Sequence, residues 1–541
     1  MLEITVILAM AAAIYAVGRA TRLPAIPLLI VGGIVLGMVG YIPTFELFGR
    51  EVMIPDLMAD RDFVIGMLQV GLAFLVFAAG MDMAPARVGQ QTGLALKVGL
   101  AQFALLGLLT GWLTLRTGYG IEEALYVGLA ISASSTLVVV RLLKQRQEMF
   151  EAFGRMIIGV LLLQDVLVIG ALVFLAALQA DTTAGMLIPL ETTVGLVAAT
   201  VILHRWVMPR VVEHYRADDE TLLLIVLATL FAFIGIAYVG DVPMVVGAFL
   251  AGLALSGFPA RALIRGLITS ITDFFMVVFF ISLGALLTLP SLEAVFQALV
   301  LVVLVLVITP VLVAWVAERA GMTSRGALEA GLLLAQTSEF SLIVALLGWE
   351  AGQLGDDLFA VLVIVTVVTM MVTPLWSSDR FVRWLMNYHP SPGPKTRVPD
   401  RSDHIVIIGG GTAGTLLVDK VRAAELTPVV IDNDPMVTVR FRQQDCDAIW
   451  GDGEDVATLK EAGVERARAV IVTTGSLHHL KEVRRLVSEG TPLWLHAFEA
   501  EQAEAARRMG AQTVTYSEAS ADVFMEWFEA EFGSEQDSPM E

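Results

Sequence analysis

Two carboxylates stand in the middle of long apolar stretches: Asp165 in LLLQDVLVIG (161–170) and Glu339 in LLLAQTSEFSLIV (332–344). A charge at the centre of a bilayer costs about 2.5–3.5 kcal/mol, so such residues are rare and mark ion or proton pathways. The competing reading is a protonated carboxylic acid hydrogen-bonded between helices. Two polar clusters interrupt apolar stretches in the same way. One holds Ser132, Ser134, Ser135 and Thr136 in ISASSTLVV (131–139); the other holds Gln336, Thr337 and Ser338, directly before Glu339. Small polar residues also let helices pack closely. Two such clusters together with Asp165 point instead to unwound backbone that ligates a monovalent cation. The candidate ion ligands are Asp165, Gln164, Ser134, Ser135, Thr136 and Glu339. Glu339 reads as readily as a protonated structural acid between helices as it does as an ion carrier. No histidine or lysine falls in mid-stretch, which excludes haem ligation by paired membrane histidines. A single cysteine, Cys446, excludes an intramolecular disulfide and any Cys-based zinc or iron–sulfur site.

A different chemistry appears near the C-terminus. Gly409-Gly410-Gly411-Thr412-Ala413-Gly414 fits G-x-G-x-x-G, follows the β-like run HIVII (404–408), and precedes Asp432 by the expected interval. In that motif the first glycine allows the turn, the second admits a phosphate, and the third packs helix on strand. Helix N–H groups from Thr412 onward would hold the phosphate. Asp432 would accept from ribose hydroxyls, and Asp452, in Gly451-Asp452-Gly453, would reach the adenine side. The motif leaves open a dinucleotide, AMP or ATP, and a degenerate domain that binds nothing. The absence of a second catalytic module favours a sensor over a dehydrogenase.

The elements that must position these residues are legible in the composition. Hydrophobic residues make up 56% of the 541, charged residues 16%, and the mean hydropathy is +0.75. An ordinary soluble domain has roughly 25% charged residues, so the chain reads as a polytopic α-helical protein of the lipid bilayer. The net charge of −19 argues against nucleic acid as a partner. Thirteen apolar stretches can span a bilayer, near 2–18, 24–42, 63–82, 92–114, 123–141, 156–178, 187–208, 221–239, 242–258, 267–288, 295–317, 327–349 and 358–377. The stretch over 24–42 contains Pro24, Pro27 and Gly32-Gly33, and an interruption is expected there. One alternating set of loops carries 15 Lys/Arg and the other only Arg50, Arg61 and Arg116. Cytoplasmic loops carry the basic excess. The N-terminus is therefore expected outside and the C-terminus in the cytoplasm. The two polar clusters lie seven spans apart, in elements of opposite orientation, which is what an inverted repeat with two broken helices would leave in the sequence. The expected domains are a membrane-spanning domain over 1–385, a Pro-rich linker over 386–402, an α/β Rossmann domain over 403–532 and an acidic tail over 533–541.

This layout resembles the cation:proton antiporter-2 family, in particular its glutathione-gated potassium efflux branch, which joins an exchanger to a TrkA-type nucleotide-binding (RCK) domain. The resemblance is carried by FLVFAAGMDM (74–83), GLAISASST (128–136), LLLQDVLVI (161–169), VPMVVGAFLAGLALS (242–256), AQTSEF (335–340) and IVIIGGGTAG with VIDND. It implies a homodimer in a bacterial inner membrane, with Asp165 binding either a cation or a proton. It implies gating by a regulatory nucleotide, AMP or NAD(H). The Gln164-Asp165 pair resembles the potassium branch, whereas sodium-exchanging relatives tend to carry Asp–Asp. Two departures stand out. The family's lysine in the eleventh span falls on Thr309, which implies electroneutral exchange. The loop GFPARALIRGL carries Arg261 and Arg265 where glutathione-gated members place acidic residues, which argues against glutathione gating.

The expected function is therefore exchange of a monovalent cation, K+, for H+. The rivals are Na+/H+ exchange, an NAD(P)H-linked membrane oxidoreductase and a nucleotide-gated cation channel. The last lacks any TVGYG-like filter.

Overall fold

A computed structural model describes residues 2–21, 24–39, 45–47, 50–52, 61–83, 92–145, 152–178, 183–210, 219–256, 262–386 apart from 289, 321 and 323, 388, 403–515 apart from 433, 452, 454, 455, 476, 489 and 499, and 521, 524 and 525. The loop arginines Arg22, Arg87, Arg146, Arg216 and Arg261, most of the proposed linker and the acidic tail lie outside these residues. The chain forms two compact units, one of residues 1–322 and 327–382, the other of 323–326 and 383–541.

The first unit is helical. Its helices are α1 (Leu2–Thr21), α2 (Ala25–Val39), α3 (Arg61–Asp82), α4 (Thr92–Arg116), α5 (Ile121–Ser132), α6 (Thr136–Gln145), α7 (Ala152–Leu178), α8 (Thr183–Ile202), α9 (Asp219–Val239), α10 (Met244–Leu255), α11 (Ala262–Ala285), α12 (Leu292–Arg319), α13 (Ser324–Leu334), α14 (Glu339–Glu350) and α15 (Asp356–Trp376). A short amphipathic helix, α16 (Asp379–Met386), follows. Two short strands, Phe45–Leu47 and Arg50–Val52, pair antiparallel. Counting α5–α6 and α13–α14 as one span each, ten spans among the described residues are long and apolar enough to cross a membrane, and three shorter apolar helices join them. These thirteen fall on the thirteen stretches read from the sequence.

Packing between these helices depends on close backbone approach, since lipid gives no hydrophobic drive between them. The interruption expected over 24–42 is an instance. Gly32-Gly33 does not break α2, which runs unbroken from Ala25 to Val39. A Cβ on Gly33 would lie 2.1 Å from the Ile281 carbonyl oxygen, and one on Gly284 would lie 2.1 Å from that of Ile30. The glycines let α2 and α11 cross backbone to backbone. The outward faces stay apolar: Leu108, Val194, Leu224 and Val311 are all exposed, as lipid-facing positions require.

The second unit holds a six-stranded parallel sheet: β1 (Ile405–Ile408), β2 (Pro428–Asp432), β3 (Asp447–Trp450), β4 (Ala469–Val472), β5 (Leu493–Ala497) and β6 (Gln512–Thr515). The order is β3-β2-β1-β4-β5-β6. It places β1 beside both β2 and β4, with Ile408 opposite Ile431 on one side and Val472 on the other. The order reverses at β1, so a crevice opens at the carboxyl ends of β1 and β4, where open α/β sheets bind ligands. Connecting helices α17 (Thr412–Ala423), α18 (Pro435–Gln443), α19 (Val456–Glu461), α20 (Leu477–Leu486) and α21 (Ala500–Arg508) alternate with the strands. Buried side chains of β1 and β2 point alternately into two cores, Val406 with Val429 and Ile407 with Val430, as the period of a buried strand requires.

Candidate functional site

Both expected helix breaks are present. The first separates α5 from α6 at Ala133–Ser135, and the second separates α13 from α14 at Ala335–Ser338. Ala133 (φ −103°, ψ 146°) and Ser338 (φ −101°, ψ 163°) are extended. The cause is local. Serine and threonine hydroxyls offer the backbone partners that compete with the helical ladder. Here Ser338 caps α14: its hydroxyl accepts from Phe340 N–H at 3.1 Å, and its own N–H donates to Ser341 Oγ at 2.9 Å.

The two breaks touch. Ser134 Oγ donates to the Leu334 carbonyl at 2.8 Å, and Ser135 Oγ donates to Glu339 Oε1 at 2.5 Å. Each break also presents a helix N-terminus to a buried carboxylate. Glu339 is the first residue of α14. Asp165 of α7 meets the start of α6, where Thr136 Oγ1 donates to its Oδ2 at 3.1 Å. Helix N-termini favour negative charge, so both acids sit where freed N–H groups compensate their burial.

The oxygens of these residues are used unequally. Ser134 and Ser135 spend their hydroxyl protons on the crossing. Gln164 Oε1 accepts from Ser134 N–H at 2.9 Å, bracing the first break from α7. Asp165 is 1% exposed, and its Oδ1 has no protein hydrogen-bond partner. A buried unpaired carboxylate oxygen is costly. It is therefore the atom of this group most open to a cation or a proton. The breaks also free backbone carbonyls from the helix ladders.

Two sets of residues at the site escape a reading of motifs. Gln102 of α4 is fully buried and donates to Ser134 Oγ at 2.8 Å. On α15, three buried threonines clasp the second break. Thr337 donates its N–H to Thr369 Oγ1 and its hydroxyl to Thr366 Oγ1, and Thr373 Oγ1 donates to the Ala335 carbonyl. Their spacing of three and four residues was the available signal, since it puts all three on one helix face. Thr309 of α12 is buried, with a hydroxyl that has no protein partner.

In the second unit the glycine turn has the required shape. Gly409 has φ +102°, and a Cβ on Gly414 would lie 2.1 Å from the Gly409 carbonyl oxygen. A Cβ on Gly411 would meet nothing within 4 Å. The first and third glycines are thus demanded by the fold, while the second faces open space that a phosphate can occupy. Thr412 begins α17 and is exposed. Asp432 Oδ2 accepts from Gly410 N–H at 2.6 Å and its Oδ1 from Asp434 N–H at 2.8 Å. Burial pushes the Asp432 carboxyl above the usual carboxylate range, against these two hydrogen bonds, which favour the ionised form. Arg440 of α18 donates to the Gly410 carbonyl at 3.0 Å and to Thr415 Oγ1 at 3.1 Å. It brings a cation to the rim of the turn, which itself contains no basic residue. Asp452 lies outside the described residues, although its neighbours Gly451 and Gly453 close the end of β3. Among the described residues no cluster of three His, Cys, Asp or Glu could hold a metal ion.

The chain matches the family profile described as sodium/hydrogen exchanger, transmembrane, over residues 6–378. It matches the TrkA-N domain over residues 405–517. The sodium proton antiporter MjNhaP1 from Methanocaldococcus jannaschii aligns at 16% identity over 70% of this chain and 96% of that one, with a TM-score of 0.52, a likeness of fold. The TrkA-N domain of the inner membrane protein ybaL from Escherichia coli aligns at 22% identity over 24% of this chain and 99% of that domain, with a TM-score of 0.23. With more than half of its length inside the exchanger profile, this chain belongs to the sodium/hydrogen exchanger family and is a cation:proton antiporter with a C-terminal TrkA-N domain.

Proposed function

We propose that this protein exchanges K+ for H+ across a bacterial inner membrane, one for one, under the control of a nucleotide bound to its cytoplasmic C-terminal domain. The observation that carries the reading is Asp165. One of its carboxylate oxygens is held by Thr136 at the start of α6, and the other is buried beside the unwound first break without a partner. A single carboxylate in that position takes a proton or a cation but not both. Competition between the two couples their fluxes. Thr136 orients the carboxylate, freed carbonyls of the first break replace part of the cation's water shell, and Gln164, Ser134 and Ser135 hold that break in place. Glu339 ties the two breaks together. The choice of K+ over Na+ rests on the resemblance of Gln164-Asp165 to the potassium branch. One-for-one exchange rests on Thr309 standing where that family carries lysine.

The regulatory reading rests on the glycine turn. Gly409, Gly411, Thr412 and Gly414 form the phosphate cradle, Asp432 reads the ribose, and AMP or NAD(H) is the ligand. A homodimer with its N-terminus outside follows from the family resemblance and from the basic loops. The deciding experiment uses proteoliposomes with an internal pH dye, an imposed pH gradient, and K+, Na+ or Rb+ added outside. The expected result is a K+-triggered pH change that is altered by AMP or NADH and lost in Asp165→Asn, while that variant still folds. Exchange that survives Asp165→Asn overturns the assignment of the site. A response to Na+ with none to K+ replaces the ion, and oxidation of NADH by quinone in place of any cation flux moves the protein to the redox class.

A further inference from the structure

Gln102 lies in the middle of α4, in a stretch otherwise composed of small and apolar residues after Lys97, VGLAQFALLGL (98–108). It is fully buried. A primary amide taken out of water costs free energy unless both its ends are bonded, so its place in the packing calls for a reason. The bonding around Ser134 supplies one. Ser134 has a single hydroxyl proton, and it goes to the Leu334 carbonyl at 2.8 Å. The serine oxygen can therefore only accept from Gln102, which fixes the amide with Nε2 toward Ser134, at 2.8 Å. The result is a chain of bonds from α4, through the first break, to the end of α13 at the second break. Ser134 N–H, meanwhile, donates to Gln164 on α7. One residue of the unwound segment is thus gripped from three helices.

The far end of each amide is unpaired. Gln102 Oε1 and Gln164 Nε2, an acceptor and a donor, are both buried without a protein partner. They belong to two side chains that hold the same serine.

We propose that Gln102 is a positioning residue of the ion site: by gripping Ser134 it holds the unwound Ala133–Ser135 segment, and with it Thr136, in register with Asp165. It does not touch the ion. The inference rests on the reading of Asp165 as the cation- and proton-binding carboxylate, and its test is separable from that reading. Loss of the Gln102 bond frees the segment whose carbonyls surround the cation, so cation affinity falls while the carboxylate that carries the proton stays in place.

The test compares Gln102→Leu and Gln102→Met, two apolar near-isosteres, with wild type in the same proteoliposomes. A neutral hydrogen bond is worth about 1 kcal/mol net. The expected result is therefore a half-saturating cation concentration raised about fivefold, with the rate at saturating cation retained. If the two residues act through one bond, Gln102→Leu combined with Ser134→Ala is no weaker than the poorer single variant. Wild-type half-saturation in both apolar variants, or effects that multiply with Ser134→Ala, overturns the proposal. A second arm follows cation-dependent thermal stabilisation of the full chain in detergent, which reports binding without transport. If wild type exchanges no cation yet is stabilised by one, the antiporter reading fails, and loss of that stabilisation in Gln102→Leu still supports the positioning role. Equal stabilisation of wild type and variant, or none in either, overturns it.

Discussion

Asp165 and Glu339 are chemically alike, each a buried carboxylate beside the N-terminus of a short helix, Glu339 as its first residue and Asp165 facing it from the middle of α7, but their neighbours make different uses of them. Glu339 accepts from Ser135 across the helix crossing and lies 3.4 Å from Ser338 Oγ. Asp165 keeps one oxygen free. The difference predicts different failures. Glu339→Gln turns one acceptor oxygen into an N–H donor at a helix N-terminus that favours negative charge, a loss of about 0.3–2 kcal/mol. We expect a thermal midpoint lowered by a few degrees and a lower maximum rate, at an unchanged half-saturating cation concentration. Proteoliposome kinetics beside a melting curve in detergent would show it. A variant with normal stability and rate but weakened cation affinity would place Glu339 among the ligands instead. Asp165 and Glu339 were legible in the sequence because an acid in an apolar run has few explanations. Gln102 was not, because a lone glutamine carries no sign of its partner 32 residues away.

Among elements, the breaks at Ser134 and Ser338 were visible as polar interruptions, whereas Gly32-Gly33 read equally well as a break and is a packing contact. Glycine weakens a helix and also lets two backbones meet, and composition cannot separate these uses without the neighbouring helix. The α15 threonines were obscured for a related reason. Threonine in an apolar helix commonly bonds back to its own carbonyls, as Thr366 and Thr369 also do here. The glycine turn lends itself to a direct test of element against ligand. Gly414→Ala drives a methyl to 2.1 Å from the Gly409 carbonyl, so α17 must shift from β1; Gly411→Ala meets no protein atom. We expect Gly414→Ala to destabilise the C-terminal unit by about 1–3 kcal/mol. Gly411→Ala should leave its stability unchanged and weaken only nucleotide binding. Limited proteolysis of the full chain with calorimetric titration of AMP and NADH separates the two. Equal nucleotide affinity in Gly411→Ala and wild type would remove the phosphate from this turn.

For the whole molecule, the residues proposed to hold the ion and those proposed to hold the nucleotide fall in separate compact units, so the proposed control of one by the other must take the form of a coupling free energy. A nucleotide gates the exchanger at equilibrium only if it binds the transporter's conformations with different affinity. Linkage then makes the effect reciprocal: the factor by which nucleotide changes cation affinity equals the factor by which cation changes nucleotide affinity. For ordinary couplings of about 1–3 kcal/mol that factor is about 5–150. The prediction is a nucleotide Kd that differs by such a factor between saturating K+ and an inert cation, measured by titration of the detergent-solubilised chain. Asp165→Asn should bind nucleotide with an affinity that no longer depends on K+, because the cation can no longer select a conformation. Gly411→Asp should abolish nucleotide binding and leave cation-dependent thermal stabilisation at its nucleotide-free value, because the residues of the ion site all belong to the other unit. Binding rather than turnover is the quantity to compare, since reciprocity does not extend to rates. A nucleotide Kd identical with and without K+ would show a domain that binds its ligand without biasing the ion site, and any nucleotide effect on flux would then lie in the rate of the conformational step.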